Sequence, residues 1–246
     1  FNIYWFLFSG LLVMTVIYFW VRGKETSIKN RLQAAKDSFT GKYRTITFGL
    51  LLLWLFTAGF VFYNTQILNT YHSPRAREIA QADYERFYKK FEDINQPRVT
   101  DVRYKIDLFP ESRDLTVVAD AMIRNTGTTP IDSIHFTMID GFDVKIELAN
   151  ASLALDDPMH RYRIYQLKLP LQPGDSMPLK ITSEYRRNGF ENEVQFTQIV
   201  ANGSFFNNAQ VLPQIGYQAS DELSDQNRRK KCKLPERERM PALIRD

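Results

Sequence analysis

The chain has 246 residues, a net charge of +4, three histidines and one cysteine. A single cysteine excludes an intramolecular disulfide and any four-cysteine metal site, so a folded domain must rely on its apolar core. The positive excess is local. Arg22, Lys24, Lys29, Arg31, Lys36, Lys42 and Arg44 face only Glu25 and Asp37, a net +5, and the rest of the chain sums to about −1. A nucleic-acid partner needs a basic patch on the folded domain and is therefore not expected.

Residues 1–21, FNIYWFLFSGLLVMTVIYFWV, carry no charge. As a helix rising 1.5 Å per residue they would span about 30 Å, one bilayer crossing. Residues 22–45 form a basic connecting loop. A second uncharged run, ITFGLLLLWLFTAGFVFY from Ile46, is extended by Ile67 and Leu68 and predicts a second transmembrane helix over 46–68. A signal peptide competes for the first run, but it would open with a basic region and hold only about 7–15 apolar residues. The positive-inside rule places the 22–45 loop in the cytoplasm and the domain after Tyr63 on the other side.

Residues 73–96 read as an amphipathic helix, with Ser73 as N-cap, Pro74 at its first position and Pro97 beyond its end. Ala80, Tyr84, Phe87, Tyr88, Phe91 and Ile94 recur at helical spacing. This aromatic face either packs on the following domain or lies in a membrane interface.

From Val99 the period changes to two. VRYKIDLF and LTVVADAMIR alternate apolar and polar residues, followed by IDSIHFTM, DVKIELA, RYRIYQLKL and MPLKITSEY, with turn signals between them. Residues 99–200 therefore predict a mainly-β domain, an antiparallel sandwich or two-sheet saddle, after the two transmembrane helices.

No catalytic constellation is visible. His72, His135 and His160 are far apart and show no metal-ligand spacing, and no nucleophile elbow or phosphate loop occurs. His135 lies on a strand opposite its apolar neighbours Ile134 and Phe136, which predicts a solvent-facing side chain. Asp156, Asp157 and Pro158 are ordinary turn residues. Arg228, Arg229, Lys230, Lys231 and Lys233 read as a solvated charged face balanced by Glu236 and Glu238. Cys232, set among these cations, is a candidate reactive thiol without an evident partner.

The ordered pieces DLFPESR, NTGTTPIDSI, NGSFFNN with PQIGY, and DELSD leading into RRKKCKL resemble bacterial membrane proteins in which an ABC-2-type permease is fused to an extracytoplasmic domain of the M1 zinc aminopeptidase family. The resemblance covers nearly the whole chain. It implies an inner-membrane, multi-pass protein whose 99–200 region is the β-saddle preceding a catalytic domain. The lipid bilayer, a downstream peptidase-like domain and an ABC ATPase subunit would be its partners. In that family zinc is held by H-E-x-x-H and a later glutamate, and substrate amines by G-x-M-E-N. Neither motif is present here, and GFEN at 189–192 lacks the methionine and precedes the saddle's end. No catalytic, cofactor or metal residue is therefore carried over, and zinc is expected in a downstream domain beyond Asp246.

The passage ANGSFFNNAQVLPQIGY opens a final region, 201–246, read as an aromatic, turn-rich seam and charged linker. Asn202, Gly203, Phe205, Phe206, Pro213, Gly216 and Tyr217 are the candidate docking residues for another domain. The glycines permit positive φ, Pro213 stops a ladder, and the aromatics supply large contact area. The same passage would equally close the sandwich's own core. Two functions follow: a non-catalytic anchor and N-terminal β domain of a permease-fused aminopeptidase, or a binding domain of an ABC-2-type exporter. A stand-alone adhesion domain fits the ordered pieces less well.

Overall fold

The computed structural model describes residues 1–20, 27–69, 71–190 and 198–237. The chain divides into two compact units, Phe1–Tyr71 with Asn188–Val194, and His72–Arg187 with Gln195–Asp246.

In the first unit, α1 (Asn2–Phe19) packs along α3 (Gly41–Phe62). Leu7, Met14 and Tyr18 recur at seven and four residues, one helical stripe, and are the buried residues of α1. Trp54 of α3 contacts the rings of Tyr4 and Phe8 at 5.5 and 6.0 Å. Gly10 faces Leu50 of α3, where an added Cβ would make an ordinary contact at 3.5 Å. Tyr18 donates to the carbonyl of Tyr43, 2.9 Å away. Asn2–Phe19 and Gly41–Leu68, with mean hydropathies of 1.7 and 2.0, are both long and apolar enough to cross a membrane.

Part of the stretch expected as a basic loop is helical. α2 (Ile28–Ser38) occupies its middle, and α3 begins at Gly41, ahead of the expected span. Backbone hydrogen bonding is indifferent to where side chains turn from polar to apolar, so the apolar boundary did not mark the helix boundary. α3 runs into a π-helical turn, Tyr63–Leu68. There the Asn64 side chain donates to the carbonyl of Phe60, and that of Asn69 to the carbonyls of Asn64 and Asn188. Gly189 sits at φ 62, where a Cβ would lie 2.2 Å from Asn64 Oδ1. Phe190 packs its ring against Phe1 and Phe60. The GFEN tetrapeptide thus begins in this unit, and its Glu191 and Asn192 lie outside the described residues.

The second unit opens with α4 (Pro74–Tyr88), whose N-cap Ser73 accepts from the Ala76 amide at 3.2 Å, a cap worth about 1 kcal/mol. A 3₁₀ turn, Lys89–Phe91, ends it. Strands β1 (Arg98–Phe109), β2 (Asp114–Arg124), β3 (Ile131–Thr137), β4 (Asp143–Leu148), β5 (Ala151–Asp157), β6 (Tyr162–Leu171) and β7 (Ser176–Tyr185) follow, and β8 (Gln214–Ile215) comes late. They form two antiparallel four-stranded sheets, β1-β2-β7-β4 and β5-β6-β3-β8.

Period-two alternation sends Leu115, Val117, Ala119, Ala121 and Ile123 of β2 into the core. The paired register aligns them with Leu179 and Ile181 of β7, and Val144 and Ile146 of β4 lie beside these. Ile134 and Phe136 of β3 and Leu167 and Leu171 of β6 join the same core from the second sheet.

The mainly-β organisation matches the alternation, with two strands added, β5 and the two-residue β8 that pairs with β3. ASLALDD, not expected as a strand, is β5, an edge strand held by its backbone pairing to β6.

Candidate functional site

The second sheet is covered on both faces at its Tyr162 end, while Gln166, Lys168 and Leu169 of β6 stay exposed. One face packs in the core; on the other, Tyr84 and Tyr88 of α4 meet Tyr162 of β6, with Phe91 and Tyr217 packed around them. Tyr84 stacks on Tyr217 at 4.9 Å and Tyr88 on Tyr162 at 4.1 Å. Tyr84, Tyr88 and Phe91 of the expected stripe therefore pack on their own domain, the first of the two roles its spacing allowed, while Phe87 and Ile94 stay exposed.

This coverage corrects the expectation for His135. Alternation does place it opposite Ile134 and Phe136, but that face is closed by helix and aromatics, leaving the residue 3% exposed. Its Nδ1 lies 3.0 Å from the Tyr162 hydroxyl and its Nε2 3.0 Å from Ser133 Oγ, with the Phe91 ring edge-on at 4.7 Å. Burial pushes its pKa down to about 4, so the imidazole is neutral at neutral pH.

The C-terminal cations are corrected likewise. α6 (Gln226–Lys231), capped by Asp225, carries Arg229 inward, where it is 1% exposed. Its guanidinium makes two hydrogen bonds of 2.7 Å to the Glu85 carboxylate and donates to the carbonyls of Leu223 and Pro235. These bonds to Glu85 raise its pKa despite burial. Arg228, Lys230, Lys231 and Lys233 remain exposed, Arg228 paired with Glu78. Beside Arg229, Glu222 accepts from Lys89 at 2.9 Å and from the Tyr217 hydroxyl at 2.8 Å. Burial opposes its ionisation, but those two hydrogen bonds outweigh burial and hold its pKa below the ordinary glutamate value. Burial and the Glu222 carboxylate both push the Tyr217 hydroxyl pKa up, so it stays a donor.

Asp156 and Asp157, expected at a turn, are instead the last two residues of β5, paired with β6, and both are occupied by protein partners. Asp156 pairs with Arg163 at 2.8 Å, and Asp157 accepts from the Tyr88 hydroxyl and from His160 Nδ1 at 2.7 Å. Among the described residues no group of three or more His, Cys, Asp or Glu side chains is placed to hold a metal ion. Cys232 is free and partly exposed, and its carbonyl accepts from Arg86.

The seven seam residues fall into two groups. Pro213 and Gly216 are buried. Gly216, at φ 83, donates to the His135 carbonyl at 2.8 Å, and its own carbonyl accepts from Thr137. Between them β8 pairs with β3, and Tyr217 joins the aromatic cluster. Asn202 and Gly203 stay on the surface at a turn, and Phe205 is 83% exposed. Phe206 is intermediate, packed against the core beside Val211 and Leu212 of the short helix α5 (Asn208–Val211) and its C-cap. Asn207 and Gln210 close a capping box there.

A cleft of about 720 Å³ crosses the outer face of the first sheet, where Asp101, Arg103, Asp120, Glu147 and Lys180 present mixed charge. A second, of about 440 Å³, opens at the sandwich edge between β1 and residues 208–218. Alternation alone could not find it, because it arises where the long edge of one sheet overhangs a two-residue strand of the other.

Comparison with known proteins returned no matching family model and no match among curated proteins.

Proposed function

We propose that this chain is the membrane anchor and extracytoplasmic N-terminal β domain of a permease-fused, M1-like zinc aminopeptidase, without chemistry of its own. The observation that carries the membrane part is the apolar surface of the helices in the first unit. Phe6 is 77% exposed and Phe56 75%, and α3 has no buried residue. Helices apolar all round need a lipid or protein environment. The +5 stretch between them orients the pair with residues 22–45 in the cytoplasm, which puts the β domain outside.

The two-sheet β domain and the order of the resembling pieces support the peptidase part. Phe205, exposed on a turn beside the half-buried Phe206, is the side chain available for docking a further domain. The zinc-activated water that such a peptidase uses would be supplied by that further domain.

A second function, a non-catalytic binding domain of an ABC-2-type exporter, is favoured by the open cleft beside β1. The native transcript distinguishes the two. Codons beyond Asp246 are expected to encode G-x-M-E-N, then H-E-x-x-H and a downstream glutamate. A stop codon, or a similar domain without those ligands, would remove the peptidase assignment.

A further inference from the structure

The sandwich is not closed along one side. β1 is an edge strand of 12 residues, paired only with β2, and β8, the edge of the other sheet, is two residues long. The register puts Val102 and Tyr104 of β1 on the same face as the core residues Ala121 and Ala119, yet Tyr104 is 40% exposed. The 440 Å³ cleft lies under this overhang, lined by Val99, Val102 and Tyr104 on one side and by Ala209, Leu212 and Ile215 on the other. Its volume is that of an ordinary ligand pocket.

The charge at its end is one-sided. Arg98, the first residue of β1, lines the cleft and is exposed, and its guanidinium makes no hydrogen bond or ion pair among the described residues. An exposed backbone edge, an apolar slot beneath it and a free cation at one end are three complementary features. They match an extended chain with apolar side chains at alternate positions and a terminal carboxylate.

We propose that this cleft binds the C-terminal segment of a peptide as an added strand on β1. Only the antiparallel orientation satisfies all three features. A strand running against β1 ends beside Arg98, so its C-terminal carboxylate reaches the guanidinium while alternate side chains enter the slot. The site is independent of the membrane and peptidase assignments and stands or falls separately from them.

The test is fluorescence anisotropy with the full chain in detergent micelles and an N-terminally labelled peptide, Lys-Ser-Val-Ser-Val-Ser-Val with a free carboxylate. Saturable binding is expected. Amidating the C-terminus, or Arg98→Glu, should each weaken it about tenfold, as loss of a charge-assisted hydrogen bond does. N-methylation of alternate peptide nitrogens should abolish it by removing strand pairing. Ala209→Trp, at an exposed cleft position, should block the slot while leaving the thermal unfolding of the chain unchanged. Absence of saturable binding overturns the proposal, as does binding indifferent to N-methylation or to the carboxylate. A concentration-dependent dimer broken by Ile106→Arg, with no peptide bound, would give the edge to a second copy and equally overturn it.

Discussion

Arg229→Ala is expected to destabilise the β-domain unit by about 3–5 kcal/mol, the cost of leaving one member of a buried ion pair without its partner. The geometry explains the size. Arg229 and Glu85 are 1% and 3% exposed, joined by two parallel 2.7 Å hydrogen bonds, and the guanidinium also satisfies two carbonyls. Alanine leaves the Glu85 carboxylate without this partner, with Lys89 at 3.8 Å as its nearest remaining cation. It also strands the carbonyls of Leu223 and Pro235. Denaturant unfolding of the variant measures the loss, and a change under about 1 kcal/mol would contradict the buried pair. The paired replacement Glu85→Leu with Arg229→Met should recover most of it, because removing both charges also removes their desolvation cost.

Acid is expected to weaken the same unit between about pH 6.5 and 4 through His135. The folded state lowers the pKa from the ordinary 6.5 to about 4, so it disfavours the imidazolium. The stabilisation is complete above 6.5, where the imidazole is neutral in both states, and is lost as pH falls toward 4. The full shift corresponds to roughly 3 kcal/mol. His135→Asn removes the titration and should flatten the stability profile in that window. The half-buried Asp157 and the buried Glu222 have pKa values below the ordinary range and lose their contribution at lower pH. An unchanged slope in His135→Asn between pH 6.5 and 4.5 would contradict the assignment.

What the sequence disclosed and what it withheld divide along one physical line. Period-two alternation placed Leu115, Val117 and Ile123 correctly in the core, and helical spacing found the Tyr84, Tyr88 and Phe91 stripe, because periodicity reports which face a side chain occupies. Whether that face is covered depends on elements distant in sequence. His135 was therefore assigned to solvent although Phe91 and Tyr162 cover it. Arg229 was lost in a run of five cations, one of which meets Glu85 across 144 positions. β5 was missed although Ala151, Leu153 and Leu155 alternate with Ser152, Ala154 and Asp156, because the Asp156-Asp157-Pro158 run read as a turn; the strand is held by its pairing to β6. The seam passage was legible as a special segment, but composition could not separate Tyr217, fixed against Tyr84, from Phe205, left exposed. The cleft beside β1 has no sequence signature at all, since it is made by a strand that stops early.

In the proposed arrangement two apolar helices hold the β domain outside a membrane. The most direct test of this arrangement is labelling of single cysteines by a membrane-impermeant maleimide, in a chain with Cys232→Ser. Ser112→Cys, in the turn between β1 and β2, is expected to be labelled in intact cells or spheroplasts, and Lys36→Cys only after permeabilisation. Labelling of Lys36→Cys from outside with protection of Ser112→Cys would invert the topology, and labelling of neither until lysis would place the domain in the cytoplasm.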